Sequence, residues 1–150
     1  MELTPKLPLH KIVPLFTLPD KHGEPLNLAK QRGRNHLALL IFGPDIQPRA
    51  YLQELAASAE AWKQLPARGL VVVPDEDSAG ALGSLPFSVL IDGAGRVRNQ
   101  FLPAGAVAGV FALDRYGDLY HQWLVSNAAA LPSATEIDGW LQAISMQCSI

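Results

Sequence analysis

Cysteine is the residue that this sequence uses least, with Cys148 as its single example among 150 residues. One thiol cannot form an internal disulfide, a CxxC redox pair or a thiolate metal site. Disulfide-stabilised and cysteine-ligated metal folds are therefore excluded as classes. We expect the chain to work in a reducing compartment, the cytoplasm.

An excess of positive charge is also missing. Lysine and arginine number 12 against 14 aspartate and glutamate residues, which gives a formal net charge of -2. Nucleic-acid phosphates and anionic membranes are held by clustered cations, so we expect neither as a partner. The basic run KQRGR, at residues 30–34, is more typical of a solvated loop beside a strand than of an anion site.

Long apolar runs are absent too. Pro5, Pro8 and Pro14 interrupt the N-terminal stretch, which leaves no apolar segment of signal-peptide length and predicts no export. The longest weakly polar run, residues 104–113, is about half the length that a membrane-spanning helix needs. We therefore expect a buried strand there.

The remaining composition is that of a globular protein, with 49% apolar and 17% charged residues. The length suits a single domain covering residues 1–150. Apolar stretches of strand length occupy residues 36–42, 70–73, 87–91, 107–113 and 119–125. Because HLALLIF and LVVV are apolar without alternation, they predict strands covered by helices on both faces, and so an α/β fold.

Two segments predict helices. In residues 48–65, Tyr51, Leu55, Ala59 and Trp62 recur at helical spacing, so we expect one helix whose apolar face carries Trp62 into the core. A proline opens this segment, as is common at a first helical position.

The second predicted helix begins at Ser133, where SATE is a capping box. The hydroxyl of Ser133 and the carboxylate of Glu136 can each accept a hydrogen bond from the other residue's backbone N–H. This predicts a C-terminal helix with a well-defined first turn.

Three tetrapeptides, DKHG, DGAG and DRYG, begin at Asp20, Asp92 and Asp114. In each, the aspartate can accept a hydrogen bond from a backbone N–H two residues on, and the glycine can adopt a left-handed conformation. We therefore predict three hairpins. The third lies late in the chain, directly before the C-terminal helix, whereas a doubly wound sheet would keep alternating strand and helix to its end.

This order of elements resembles that of the peroxiredoxins, the alkyl hydroperoxide reductase and thiol-specific antioxidant branch of the thioredoxin superfamily. PLFTLPDKHGEPLNL resembles their N-terminal hairpin, LAKQRGRNHLALLIFGP the turn and strand that lead to their active site, and VFALDRYGDLYHQW their late hairpin. The resemblance covers about residues 14–144. It implies a thioredoxin-like fold, with a mixed central sheet, helices on both faces and an N-terminal β-hairpin.

The catalytic motif of that family is not preserved. Peroxiredoxins attack peroxide with a cysteine thiolate in a Pro-x-x-x-Thr-x-x-Cys segment, activated by a helix N-terminus and an arginine. On FGPDIQPRAY, Pro44 matches, Pro48 replaces the threonine and Tyr51 replaces the cysteine. A second arginine, which the resemblance places just before the late hairpin, finds only GAVAG at residues 105–109. We predict no catalytic residue here and no peroxidase activity, because a phenol is a poor nucleophile and has no sulfenic acid chemistry.

Cys148 is the remaining thiol and lies close to the end of the chain. We interpret it as a terminal cysteine without an assigned role. The alternative is a redox thiol that works with a thiol of a partner protein.

Other candidate ligands are weak. Four histidines, at positions 10, 22, 36 and 121, lack the close spacing of metal sites, so we predict no metal and no cofactor. The acidic run 75–77 follows a strand, where it suits the cap of a helix near Ser78 better than a magnesium site. The aromatic residues Trp62, Tyr116, Tyr120, Trp123 and Trp140 are interpreted as core or interface residues rather than as the lining of a cleft.

These observations leave three functional hypotheses. The first is a degenerate peroxiredoxin-like domain that serves as a binding or assembly module in a redox-related setting. The second is a divergent thiol oxidoreductase that uses Cys148 with a partner thiol. The third is a small-ligand domain that uses the former active-site pocket around Pro44, Arg49 and Tyr51.

We also expect a homodimer. Peroxiredoxin-like chains pair either edge to edge through the late hairpin or by packing around the active-site helix, and this chain offers aromatic residues for both. Residues 119–125 carry Tyr120 and Trp123 in a strand that we place at a sheet edge, where unpaired backbone groups invite a second copy of the chain.

Overall fold

The computed structural model describes residues 3–147. Cys148 lies outside the described residues, so both interpretations of its thiol stay predictions. The strands are β1 (Thr17–Pro19), β2 (Pro25–Asn27), β3 (His36–Phe42), β4 (Ala67–Val73), β5 (Ser88–Ile91), β6 (Ala108–Leu113) and β7 (Leu119–Val125). The α-helices are α1 (Arg49–Ala56), α2 (Ala59–Lys63), α3 (Glu76–Ala81), α4 (Arg96–Phe101) and α5 (Ala134–Gln147), and short 3-10 helices cover Leu28–Gln31 and Ala128–Ala130.

A five-stranded mixed sheet with the order β5-β4-β3-β6-β7 forms the centre. The strands β3, β4 and β5 run parallel, whereas β6 pairs antiparallel with β3 and with β7. The predicted parallel pairing of HLALLIF with LVVV, and the antiparallel late hairpin beside it, are therefore confirmed. A separate two-stranded antiparallel sheet, β1-β2, forms the N-terminal hairpin.

Both faces of the central sheet are covered. Alternate residues of a strand point to opposite faces. Accordingly, Leu40 packs in a core cluster with residues of α1, α2, α3 and α5, whereas Leu39 packs in a second cluster with residues of α4 and the N-terminal segment. All seven residues of β3 are buried, which explains the unbroken apolar run at residues 37–42.

The single helix predicted at residues 48–65 is wrong, because the segment forms α1 and α2. Its apolar spacing continues through the break, but the backbone N–H groups of Ala57 and Ser58 bond to carbonyls three residues back, at Glu54 and Leu55. This tighter bonding ends α1 before α2 begins. The strand predicted at 70–73 also starts three residues earlier, where Ala67 pairs with the first residue of β3.

Two of the three predicted hairpins are confirmed. Asp20 Oδ1 accepts hydrogen bonds from the N–H groups of His22 and Glu24, at 2.8 and 3.0 Å, in the turn between β1 and β2. Asp114 Oδ1 accepts the equivalent bonds from Tyr116 and Asp118, at 2.9 and 3.0 Å, in the turn between β6 and β7.

The hairpin predicted for DGAG is wrong, although its turn forms. Gly95 adopts the expected left-handed conformation with φ 72° and bonds to the Asp92 carbonyl at 3.0 Å. The chain then enters α4, because Val97 and Phe101 lie one helical turn apart and both are buried against the sheet. The Asp92 side chain accepts a hydrogen bond from the N–H of Arg98 in that helix.

The predicted helix caps are confirmed. Asp75 precedes α3 and accepts a hydrogen bond from the N–H of Ser78 at 2.7 Å, which lowers the pKa of its carboxyl. Ser133 precedes α5 and exchanges hydrogen bonds with Glu136 at 3.2 Å in both directions. Across residues 3–147, the helices are too short or too polar for any of them to span a membrane.

Candidate functional site

The segment that aligns with the peroxiredoxin motif connects β3 to α1, at the carboxyl ends of the parallel strands. It starts at Gly43, whose N–H donates to the Val107 carbonyl of the loop before β6 at 2.8 Å. A Cβ added at Gly43 would lie 3.1 Å from the same oxygen, so the close approach favours glycine. Pro44 follows and is exposed.

Pro48, which the motif alignment sets against the family's threonine, lies immediately before α1. It is buried, and its carbonyl accepts the N–H of Leu52 at 2.9 Å. Its side chain has neither a hydroxyl nor an N–H to offer a peroxide. In that alignment, an apolar ring stands where the family has a hydroxyl donor.

Tyr51, which the motif alignment sets against the family's cysteine, lies in the first turn of α1. Its hydroxyl donates a hydrogen bond to the Pro132 carbonyl at 2.7 Å, and its ring packs edge-on against Phe42. Burial, together with the nearby carboxylates of Glu136 and Glu54, raises the pKa of the Tyr51 phenol above its usual value. The phenol therefore keeps its proton and uses it to connect α1 to the segment before α5.

A small cavity of about 170 Å³ lies beside this segment. Its apolar lining includes Phe42, Ile46, Val73 and Leu82, and its polar lining consists of Gln47, Arg49 and Ser78. Tyr51 and Pro44 are not among the lining residues. Of the three residues predicted around the former pocket, the structure therefore brings only Arg49 to this cavity.

Arg98 is a residue that sequence reasoning missed. The second arginine of the family was expected in residues 105–109, which carry no charge. The Cδ atom of Arg98 in α4 lies 3.6 Å from the position that a Cβ of Gly43 would occupy, but its guanidinium lies against Gly95 and Arg98 does not line the cavity. Nothing in the sequence indicated this position for Arg98, because DGAG predicted a hairpin where α4 begins.

The histidines have mainly structural surroundings. His36 is buried at the start of β3, where its Nδ1 accepts the N–H of Arg115 at 3.0 Å and burial lowers the pKa of its imidazole. Within the described residues 3–147, the structure contains no group of three or more histidine, cysteine, aspartate or glutamate residues that would suit a metal ion.

The aromatic residues divide between core and surface. Trp62 is buried in the core, as predicted, with an exposed fraction of 1%. Trp123 and Trp140 are half-buried and line a cleft together with His121, so their interpretation as core residues is incomplete. Tyr116, in the turn between β6 and β7, is half exposed.

Together, the mixed sheet, its helices on both faces and the N-terminal hairpin define a peroxiredoxin-like thioredoxin fold. Mycobacterium tuberculosis AhpC superposes with a TM-score of 0.77 at 14% identity, covering 96% of each chain. Peroxidoxin BcpB from the same organism gives 0.69 at 16% identity, covering 95% of this chain and 98% of its own. The exposed lipoprotein thioredoxin Etrx1 of Streptococcus pneumoniae gives 0.70 at 15% identity, covering 87% of this chain and 99% of its own.

These structural relatives establish the fold, since their sequence identities are low. No protein-family model matches the chain, and no curated protein matches its sequence. The activity must therefore be argued from this chain's own residues.

Proposed function

We propose that this chain is a thioredoxin-fold domain without thiol catalysis, which acts as a binding or assembly module in a redox-related setting. The observation that carries the proposal is Tyr51. It occupies the nucleophile position, and its hydroxyl proton is held by the Pro132 carbonyl.

The chemistry of this position supports a structural role. Peroxide reduction needs a nucleophile that is ionised at neutral pH and can be oxidised to a sulfenic acid. The Tyr51 phenol has a raised pKa and no sulfur, and Pro48 supplies no donor to orient a peroxide. The Tyr51 hydroxyl donates a hydrogen bond to the segment before α5, so it is not available to react with a substrate.

The test is peroxide consumption by the pure protein. We expect no turnover of hydrogen peroxide or an alkyl hydroperoxide above the buffer background, with either dithiothreitol or a thioredoxin system as reductant. Cys148→Ser is the matched control. Turnover in the wild type that disappears in Cys148→Ser would overturn the proposal in favour of a thiol oxidoreductase, and turnover that survives it would place catalysis elsewhere.

A second candidate, a small-ligand site, is favoured by the cavity of about 170 Å³ at the carboxyl ends of β3 and β4. Open α/β sheets bind ligands at this edge, and here Arg49, Gln47 and Ser78 supply polar groups to an apolar pocket. A thermal-shift screen of small anions tests it. A ligand at this site should lose its stabilising effect in Arg49→Met and keep it in Arg34→Met, a change in an exposed loop residue.

The proposed assembly is a homodimer through the edge strand β7. This strand ends the order of the central sheet. Residues of the N-terminal segment already pair with its start, since His10 N–H donates to the Leu119 carbonyl at 2.6 Å and Val13 N–H to the Gly117 carbonyl at 3.0 Å. The half-buried Trp123 lies farther along the strand.

Sedimentation at micromolar concentration tests the dimer. We expect a dimer for the wild type and a weaker one for Trp123→Glu, because symmetric pairing of the β7 edges would bring two like charges close together. Far-UV circular dichroism must show that the variant is folded, with Trp123→Phe as the conservative control. A wild-type monomer at the highest concentration tested would contradict this assembly.

A further inference from the structure

A cleft of about 380 Å³ lies between β7 and α5, and its residues are separate from those that line the cavity near Arg49. The His121 ring stacks on the Trp140 ring with 4.5 Å between centroids and an interplanar angle of 5°. The Trp123 ring meets the same imidazole edge-to-face, also at 4.5 Å. Aromatic rings from two elements therefore form one wall of the cleft.

On the α5 side, the cleft is lined partly by residues with small side chains. Glu136, Gly139, Trp140 and Ala143 are spaced so that they share one face of α5, and all four line the cleft. Among the described residues, nothing lies within 4 Å of the position that a Cβ of Gly139 would occupy. The small side chains at 139 and 143 leave room above the helix, between the indole rings and the Glu136 carboxylate.

The charge in the cleft is negative. Glu136 contributes a carboxylate, which lies close enough to His121 to oppose the fall in its pKa that burial causes. Burial has the larger effect and lowers the pKa of His121, which favours a neutral imidazole. The sequences of β7 and α5 contain no lysine or arginine. A carboxylate beside aromatic faces, without a basic side chain on either element, is complementary to a cation.

We propose that this cleft binds an organic cation of the alkylated ammonium class, held against Trp123 and Trp140 with Glu136 as the counter-charge. Indole gives the strongest cation–π attraction of the aromatic side chains, and such faces recognise quaternary ammonium groups. The volume lies near the lower end of small-molecule sites. A bare metal ion fits poorly, since Ca²⁺ and Mg²⁺ require several oxygen ligands and this lining supplies one carboxylate and one hydroxyl. The inference does not depend on whether the chain has thiol activity.

The direct test is NMR of the indole Nε1–H groups. The sequence has three tryptophans, and buried Trp62 is the internal reference. We expect choline chloride to shift the signals of Trp123 and Trp140 in a saturable manner at millimolar concentration, and to leave that of Trp62 unchanged. Sodium chloride at equal ionic strength should not reproduce the shifts.

A neutral isostere separates cation recognition from hydrophobic contact. In 3,3-dimethyl-1-butanol a carbon replaces the nitrogen of choline, so the shape is kept and the charge is lost. We expect it to bind about tenfold more weakly, the effect of losing a partly desolvated cation–π contact. Equal binding of choline and the alcohol, or no shift of either indole at about 50 mM choline, would overturn the proposal.

Two substitution pairs test the geometry. Glu136→Gln keeps a side chain that can cap the helix, but it removes the charge and should weaken choline binding about threefold to tenfold. Gly139→Leu should fill the cleft and abolish binding, whereas Gly139→Ala should retain it. The circular dichroism spectrum confirms that each variant is folded. Unchanged binding in Gly139→Leu would place the cation elsewhere and refute the site.

The same chemistry has two sources, a free small molecule and a methylated lysine side chain of a partner. Titrating a trimethyl-lysine peptide and its unmodified counterpart separates them. A trimethylated peptide that binds more tightly than both choline and the unmodified peptide identifies a protein partner. Choline binding at least as tight as the peptide identifies a free small cation.

Discussion

The first turns of α1 and α5 lie beside one another, but each is stabilised by a different kind of interaction. α5 is stabilised locally, because Ser133 and Glu136 exchange hydrogen bonds within its own first turn. α1 follows Pro48, whose side chain has no hydrogen-bonding group. Its first turn is instead connected to the segment before α5 by the hydroxyl of Tyr51, which donates to Pro132.

α2 depends on α5 in the same way. The indole N–H of Trp62 donates to Asp138, and the hydroxyl of Ser58 lies 3.4 Å from the same carboxylate. α5, which has its own cap, therefore supports α1 and α2, whose N-cap residues make no side-chain cap hydrogen bond. The contrast indicates that the segment aligned with the family motif keeps its place through tertiary contacts rather than through a local cap.

The largest effect is expected for Trp62→Ala, which breaks the connection between α2 and α5. It removes a buried aromatic side chain and its hydrogen bond, so we expect a loss of about 3–5 kcal/mol in the free energy of unfolding. Urea denaturation followed by circular dichroism measures it. Trp62→Phe, which keeps most of the ring but loses the N–H, should cost less. Equal losses in both variants would mean that the hydrogen bond to Asp138 dominates.

A smaller effect is expected for Tyr51→Phe, which tests the connection of α1. The variant keeps the ring but leaves the Pro132 carbonyl without the phenolic donor, so we expect a loss of about 1–2 kcal/mol. The same urea titration measures it, and Tyr116→Phe, in an exposed turn, is the control. An unchanged stability would show that the hydrogen bond to Pro132 does not hold α1 in place.

Ser133→Ala tests the cap that stabilises α5 within its own first turn. The variant loses the hydroxyl that accepts the N–H of Glu136, and we expect a loss of about 1 kcal/mol, the usual contribution of a helix cap. Ser133→Asp, which retains an acceptor, should restore most of it. If Ser133→Ala costs more than Tyr51→Phe, the order of importance proposed for the two helix starts is reversed.

The smallest effect concerns alkaline pH. Because the pKa of the Tyr51 phenol is raised in the folded chain, its contribution to stability is complete below pH 10 and is lost as the pH rises above that value. Tyr51 is partly exposed, so we expect a loss below about 1 kcal/mol between pH 10 and 11. The difference in unfolding free energy between wild type and Tyr51→Phe should narrow over this interval. A constant difference would indicate an unperturbed phenol.

Much of the fold was predictable because its signals are local or periodic. The unbroken apolar runs at β3 and β4, the turn residues Asp20 and Asp114 and the capping box at Ser133 each specify their own element. The site was predictable only as a departure from a family motif. Its present geometry was not, since the Tyr51–Pro132 hydrogen bond joins residues 81 positions apart in the sequence.

The burial of the central strands, the turns at the two hairpins and the absence of a cysteine at position 51 are all determined by sequence alone. Tertiary packing determined which helix or strand follows each turn and where each helix ends. The DGAG turn leads into α4 because Val97 and Phe101 find an apolar sheet to cover, and the segment at 48–65 divides between two helices that both contact α5. Packing also directed Trp123 and Trp140 to a common cleft, because ring positions on a strand and on a distant helix do not depend on spacing along the chain.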